Sequence, residues 1–140
     1  MRFSMSLPKG SFIQTLILLL LVLAVFTACA LRATTRVALL PGTLTKPADV
    51  VVTGSGFPAD KAVVVILTRA HGDVDVVLGR ATTDKEGTFK LTVSETFLTP
   101  LLTGSGGGSW KPLAPGVHTV VVKDLAGNVL GSAQLTLAKQ

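Results

Sequence analysis

The chain has 140 residues and a mass of 14.5 kDa; 48% of its residues are hydrophobic and only 15% are charged. This length fits one compact domain, and a mean hydropathy of +0.59 is too apolar for an intrinsically disordered protein. The formal net charge is +5. The basic residues are scattered along the chain and are not interleaved with aromatic residues, which argues against a nucleic-acid-binding surface.

The first 31 residues have the pattern of an export signal. Arg2 and Lys9 form a basic start, residues 10–31 are 22 consecutive positions without charge, and small residues surround Cys29. We therefore expect one hydrophobic helix at the N-terminus. Residues 32–140 should then lie outside the cytoplasm, anchored to the membrane of the cell envelope.

Three outcomes are open at the end of this segment. Residues 25–29 resemble a bacterial lipobox, in which Cys29 is lipidated and becomes the new N-terminus. Ala28 and Ala30 also form the small-x-small pattern of a signal peptidase site, which would release a protein that begins at Leu31. About 20 apolar residues are enough to remain as a single transmembrane span. Lipid attachment at Cys29 is the preferred prediction.

Residues 32–140 alternate between apolar and polar with a period of two and carry turn residues every 8 to 12 or so positions, which predicts an all-β sandwich. The alternation is clearest at 88–93 and 132–137. The segments 62–67 and 120–122 are apolar on both faces, as in central strands or in a sheet whose outer face is covered by a partner. Seven strands are predicted in all: 34–40, 48–53, 62–69, 74–80, 88–94, 117–123 and 128–138.

Two tetrapeptides predict hairpin turns between these strands. Asp84–Gly87 and Asp124–Gly127 both begin with aspartate and end with glycine. An aspartate at the first position can accept hydrogen bonds from the backbone of the turn, and glycine at the fourth can adopt a positive φ.

Three sequence motifs resemble those of the Ig-like modules of bacterial and archaeal cell-surface proteins. Val50–Pro58 contains a G-x-G-F step, and Thr83–Phe89 contains a D-x-x-G-x-F hairpin. Ala114–Val120 follows the P-G-x-Y-x-V pattern with His118 in place of the tyrosine. The resemblance covers residues 34–138 and implies a seven-stranded immunoglobulin-like sandwich. It implies no particular activity, because this architecture hosts many unrelated functions.

Few residues are candidates for catalysis or metal binding. With one cysteine, in the hydrophobic segment, and only His71 and His118 as histidines, the exported domain has no disulfide and no zinc site of nitrogen and sulfur ligands. No G-x-S-x-G motif marks a serine nucleophile. We expect neither an enzyme nor a cofactor. Four acidic residues offer oxygen ligands for calcium, although roles in turns and on a solvent-exposed strand are favoured: Asp73, Asp75, Asp84 and Glu86.

The longest predicted connection is a Gly-rich loop at 95–116. Loops of this length are usually functional or disordered, and apolar residues flank the low-complexity stretch 104–109. These apolar side chains either fold back over the open end of the sandwich or contact a protein, a glycan or a membrane. The candidate contact residues are Phe97, Leu98, Leu101, Leu102 and Trp110.

These features predict a non-enzymatic, envelope-anchored module at the cell surface that binds a protein or has a structural role. No nucleic acid and no small-molecule substrate is expected. One alternative is a single-span accessory subunit of a larger membrane complex, which the apolar segments 62–67 and 120–122 would favour. The other is a glycan-binding module in which Trp110 stacks on a sugar.

Overall fold

The computed structural model describes residues 13–18, 34–105, 107 and 111–139, and the chain divides into two compact units, Met1–Arg32 and Ala33–Gln140. In the first unit residues 13–18 are helical. No helix within the described ranges has the length and hydropathy needed to cross a membrane. The rest of the predicted N-terminal helix, with Cys29, lies outside those ranges.

The second unit is all-β apart from one short helix among its described residues, as the alternating pattern predicts. Its described strands are β1 (Arg36–Leu40), β2 (Thr43–Leu44), β3 (Val50–Ser55), β4 (Ala62–His71), β5 (Val74–Thr82), β6 (Phe89–Val93), β7 (Gly116–Asp124) and β8 (Val129–Leu137). A three-stranded sheet has the order β1-β3-β6, and a five-stranded sheet has the order β2-β8-β7-β4-β5. All neighbouring strands are antiparallel except β2, which runs parallel to β8.

Each of the seven predicted strands is present, but the count of seven is wrong by one. The additional strand is β2, whose two residues pair with Thr136 and Leu137 of β8. A strand of two residues is too short to show alternation, so only its pairing defines it. The chain passes from β1 to β2 through Pro41, which follows a cis peptide bond.

The two sheets pack against each other around one hydrophobic core. Alternate residues of β4 illustrate the pattern, because Val63, Val65 and Leu67 are buried while their neighbours face outward. Phe57 and Phe89 add an edge-to-face contact with ring centroids 5.3 Å apart. The buried residues of this core among those described lie between positions 39 and 137, so the unit Ala33–Gln140 contains a core of its own.

The connections between strands gather at two ends of the sandwich. One end, which we call the turn end, carries the loops 56–61, 83–88 and 125–128. The opposite end, which we call the helix end, carries 41–49, the hairpin at 72–73 and the segment 94–115.

Segment 95–116 corrects the prediction of a loop, because it begins with the helix Glu95–Thr103. Asp49 accepts a hydrogen bond from the backbone N–H of Glu95 at 2.6 Å, and the N-cap Ser94 accepts one from Phe97 at 3.3 Å. These acceptors satisfy donors that a helix start leaves without intrahelical partners. At the other end Gly104 adopts the left-handed conformation, with a φ of 72°.

The helix was not predicted because its sequence is locally unfavourable. It contains three threonines and, in its interior, Pro100, which lacks the N–H needed for a helical hydrogen bond. Its stability comes from burial of leucines and from Asp49, a residue 46 positions away in sequence. Tertiary contacts of this kind override local propensity.

Candidate binding surfaces

The predicted contact residues of the helix end divide into buried and exposed positions. Leu98 is 2% exposed and Leu101 is 8% exposed, and both belong to the core; Leu102 is partly buried against it. The helix turns Leu98 and Leu101 towards the sandwich interior, which agrees with the alternative that these apolar side chains fold back over its open end. Phe97, at 43% exposure, remains accessible. Trp110 lies outside the described residues.

The chain that follows the Gly-rich stretch is tied back to the helix end by hydrogen bonds. The backbone N–H of Leu113 donates to the carbonyl of Leu101 at 2.9 Å, and the Leu113 side chain is buried. His118, near the start of β7, has its Nε2 2.7 Å from the carbonyl oxygen of Ala114, four residues upstream. The imidazole thus spans the corner at which the chain enters β7.

Two grooves open at the helix end. The smaller, of about 310 Å³, lies beside the end of β8 and is lined by apolar side chains together with Lys46 and Lys139. The larger and more open, of about 650 Å³, lies between the β4–β5 hairpin and residues 111–114. Among the described residues that line them, neither groove brings together a nucleophile, a base and an orienting group.

Two of the four acidic residues considered for calcium, Asp75 and Asp84, accept hydrogen bonds from the backbone. Asp84 accepts hydrogen bonds from the backbone N–H groups of Glu86 at 3.0 Å and Thr88 at 2.8 Å, and from the Thr88 hydroxyl. Asp75 accepts one at 3.0 Å from Arg69, whose φ of 51° lies in the left-handed region. Within the described ranges no group of three or more histidine, cysteine or acidic residues is placed to hold a metal ion.

Both predicted Asp–Gly turns are confirmed at the turn end. Gly87 has a φ of 74° and Gly127 a φ of 90°, the positive values that the turns need. Asp124 binds the backbone N–H and side-chain amide of Asn128, each at 2.9 Å. Hydrogen bonds from Thr88 lower the pKa of Asp84, and those from Asn128 lower the pKa of Asp124, because they stabilise the ionised carboxylates.

Thr83, a buried polar residue, links two loops of the turn end. Its hydroxyl donates to the carbonyl of Pro58 at 2.6 Å and accepts from the backbone N–H of Lys61 at 2.8 Å. The side chain is only 2% exposed. One hydroxyl therefore links the β5–β6 connection to the β3–β4 connection.

The outer face of the five-stranded sheet carries three rows of side chains across its strands. Strand register places neighbouring residues of β5, β4, β7 and β8 side by side. The cationic row consists of Arg80, Val64, Lys123 and Val129. The apolar row consists of Val77, Ile66, Val121 and Ser132. The polar row contains Thr68, Thr119 and Gln134, and Thr68 also donates to the carbonyl of Thr119 at 3.1 Å.

The apolar row is exposed at its β5 side. Val77 is 50% exposed, Ile66 is half-buried, and Val121 is buried between its neighbours. The segments 62–67 and 120–122 were predicted to be apolar on both faces, and this row lies where they meet. Val77 was missed because it belongs to a neighbouring strand whose register is known only from the structure.

The outer face of the three-stranded sheet has a different character. Its outward residues, by alternation with the buried set, are Arg36, Ala38, Leu40, Val51, Thr53, Ser55, Lys90 and Thr92. Leu40 pairs with Val51 there, but Thr92 follows on the third strand, so the apolar stretch spans only two strands. The outer face of the five-stranded sheet differs, because aliphatic residues of three neighbouring strands lie in one row beside a row that carries Arg80 and Lys123.

Comparison with protein-family models and with curated proteins finds no match to this chain.

Proposed function

We propose that the chain is a non-enzymatic binding module with an immunoglobulin-like sandwich, held at the outer side of a membrane by a lipid on Cys29. In this proposal the outer face of the five-stranded sheet is the protein-binding surface. The module catalyses no reaction and needs no cofactor.

The strand order supports an immunoglobulin-like assignment. In such sandwiches the A, B and E strands share one sheet, while G, F and C share the other, with C′ added beside C in the variable type. The orders β1-β3-β6 and β8-β7-β4-β5 correspond to these two sets. The bond between His118 and the carbonyl of Ala114 corresponds to the tyrosine corner, in which a side chain near the start of the F strand binds the backbone a few residues upstream.

The observation that carries the binding role is the apolar row, which is exposed at Val77 on its β5 side. An aliphatic stripe across a sheet face, with Val77 half-exposed and charged residues beside it, has the composition of an interaction surface with an apolar centre and a polar rim.

The anchor is tested by the intact mass of the protein isolated from native membranes. We expect a chain that begins at Cys29 and carries the added mass of a diacyl or triacyl group, and we expect Cys29→Ala to lose it. A chain that retains Met1 would instead support the single-span accessory subunit. A chain that begins at Leu31 without acyl mass would indicate a released protein.

The binding face is tested by placing a photo-crosslinking amino acid at Val77 in the full chain in its native membrane. Thr92, exposed on the outer face of the three-stranded sheet, is the matched control position. We expect a protein adduct at Val77 and none at Thr92. Equal labelling at both positions would contradict the assignment of the face.

A further inference from the structure

We infer that the partner on the outer face of the five-stranded sheet is a second copy of this chain, packed face to face about a two-fold axis along the apolar row. This inference rests on the proposed function, because it names the occupant of the same surface. It follows from the order of the three rows, from the charges of β5 and from the size of the face.

The rows are self-complementary under that symmetry. A two-fold axis along the apolar row places Val77, Ile66 and Val121 of one copy on the same residues of the other. It also places the cationic row of each copy on the polar row of its partner, since these rows flank the apolar row on opposite sides. An isologous dimer requires a surface that is complementary to itself in this way.

The charges of β5 agree with this arrangement. Arg80 lies in the cationic row, and Asp75 lies two residues before Val77 and so on the same side of the strand. Both side chains are exposed. Rotation about the apolar row brings Arg80 of each copy opposite Asp75 of the other, which gives two symmetry-related opposite-charge pairs at the rim. Such pairs fix register and orientation.

The first strand of the unit lies on the same side of this dimer in both copies. β1, the first strand of the unit, packs beside β8 at the far side of the sandwich from β5. The two-fold axis runs from β5 towards β8, and rotation about it leaves positions along the axis unchanged. Both copies therefore carry β1 on the β8 side of the dimer, where β1 runs in opposite directions in the two copies and begins at the turn end of each.

The face is large enough for a reversible dimer. Four strands about 4.8 Å apart, each contributing about seven residues of about 3.3 Å, present roughly 440 Å² of flat area per copy. Two copies bring together roughly 900 Å² of flat area, and the relief of the side chains raises the accessible area above the floor of about 1,000 Å² expected of specific interfaces.

Pairing through the sheet edge is less suited to a second copy. The exposed edge strand β5 is interrupted by irregularities between Val65 and Ile66 and between Leu67 and His71 of its neighbour β4. Bulges of this kind twist an edge and interrupt its row of backbone groups, which disfavours strand addition. The face therefore remains the better surface for a copy.

The inference is tested by cysteine cross-linking of the full chain in intact membranes. Packed sheets lie about 10 Å apart, so a bismaleimide of about that span joins two copies of Val77→Cys across the axis. Thr92→Cys is the matched control, and the parent chain, with Cys29, gives the background. We expect a cross-linked dimer of twice the monomer mass for Val77→Cys, with Thr92→Cys at the parent level.

Charge reversal provides the second arm, measured as dimer yield in the Val77→Cys background. We expect Arg80→Asp and Asp75→Arg each to lower the yield by about tenfold, because like charges then face each other, and we expect the double variant to restore it. A double variant as weak as the single ones would overturn the inference.

The outcomes separate this inference from the proposed function. A cross-link from Val77→Cys to a different protein would overturn the second copy and leave the binding face standing. The absence of any adduct at Val77, with either the bismaleimide or the photo-crosslinker, would overturn both.

Discussion

The two ends of the sandwich are closed by different physical means. At the turn end, short loops are held by hydrogen bonds: Asp84 and Asp124 accept from backbone N–H groups, and the Thr83 hydroxyl donates to a backbone carbonyl. At the helix end, closure depends on burial of Leu98, Leu101 and other leucines against the core. The first kind of closure is mainly local and polar, whereas the second is apolar and joins residues distant in sequence.

This difference explains why the turns, but not the helix, can be predicted from the sequence. An aspartate three positions before a glycine specifies its own turn, because donor and acceptor lie within a few residues. A helix with Pro100 and three threonines has no such local signal and forms because the sandwich offers it a surface to cover. Substitutions at the two ends should therefore lower the free energy of unfolding by different amounts.

The largest effect is expected from removing apolar closure at the helix end. Leu98→Ala should lower the free energy of unfolding by about 2 to 4 kcal/mol, because it deletes a fully buried side chain and leaves a cavity. Urea unfolding of the unit 33–140, which encloses its own core, measures this. Phe97→Ala, on the same helix but 43% exposed, should cost clearly less; equal losses would show that the helix does not close the core.

A smaller loss is expected from Thr83 at the turn end. Thr83→Val keeps the shape but removes the hydroxyl, leaving the carbonyl of Pro58 and the N–H of Lys61 without their partner, at a cost of about 1 to 3 kcal/mol. Thr82→Val, at an exposed neighbouring position, should stay within about 0.5 kcal/mol of the parent. The same urea titration measures both variants. An unchanged midpoint for Thr83→Val would show that the hydroxyl does not stabilise the turn end.

Substitution of His118 should have a small to intermediate effect on the free energy of unfolding. His118→Phe loses the hydrogen bond to the carbonyl of Ala114 and should cost about 1 kcal/mol. His118→Tyr supplies a hydroxyl donor for the same carbonyl and should recover part of that loss. Thermal unfolding of the two variants, compared at one pH, tests the corner, and a Tyr variant no better than the Phe variant would argue against it.

The smallest expected effect is on the loss of stability at acidic pH. The pKa values of Asp84 and Asp124 are lowered in the folded chain, so the unfolded chain takes up protons first as the pH falls. The stability they contribute is present above the usual aspartate pKa of about 3.9 and is lost as the pH falls from there towards the lowered values. The melting temperature of Asp84→Asn should therefore fall less on acidification than that of the parent. If the melting temperatures of Asp84→Asn and the parent fell equally on acidification, the role of the Asp84 carboxylate in the turn would be contradicted.

The outer faces of the sheets show a second limit of sequence reasoning. Alternation along β4 and β7 predicted apolar residues on both faces, and the apolar row is the result. Simple alternation along β5 would place Arg80 on the opposite side from Val77, yet the irregularity opposite Val65 and Ile66 brings both to one face. A shift of one residue reverses the side on which every later residue lies, and the sequence carries no separate mark of it.

The sequence by itself determined the all-β class, seven of the eight described strands and both Asp–Gly turns. A period of two and a short-range hydrogen bond are properties of neighbouring residues. Only the tertiary structure decided the helix at the helix end, the short β2, the bond from His118 and the face on which Arg80 lies. Each of these depends on residues brought together by packing, where burial and register outweigh local preference.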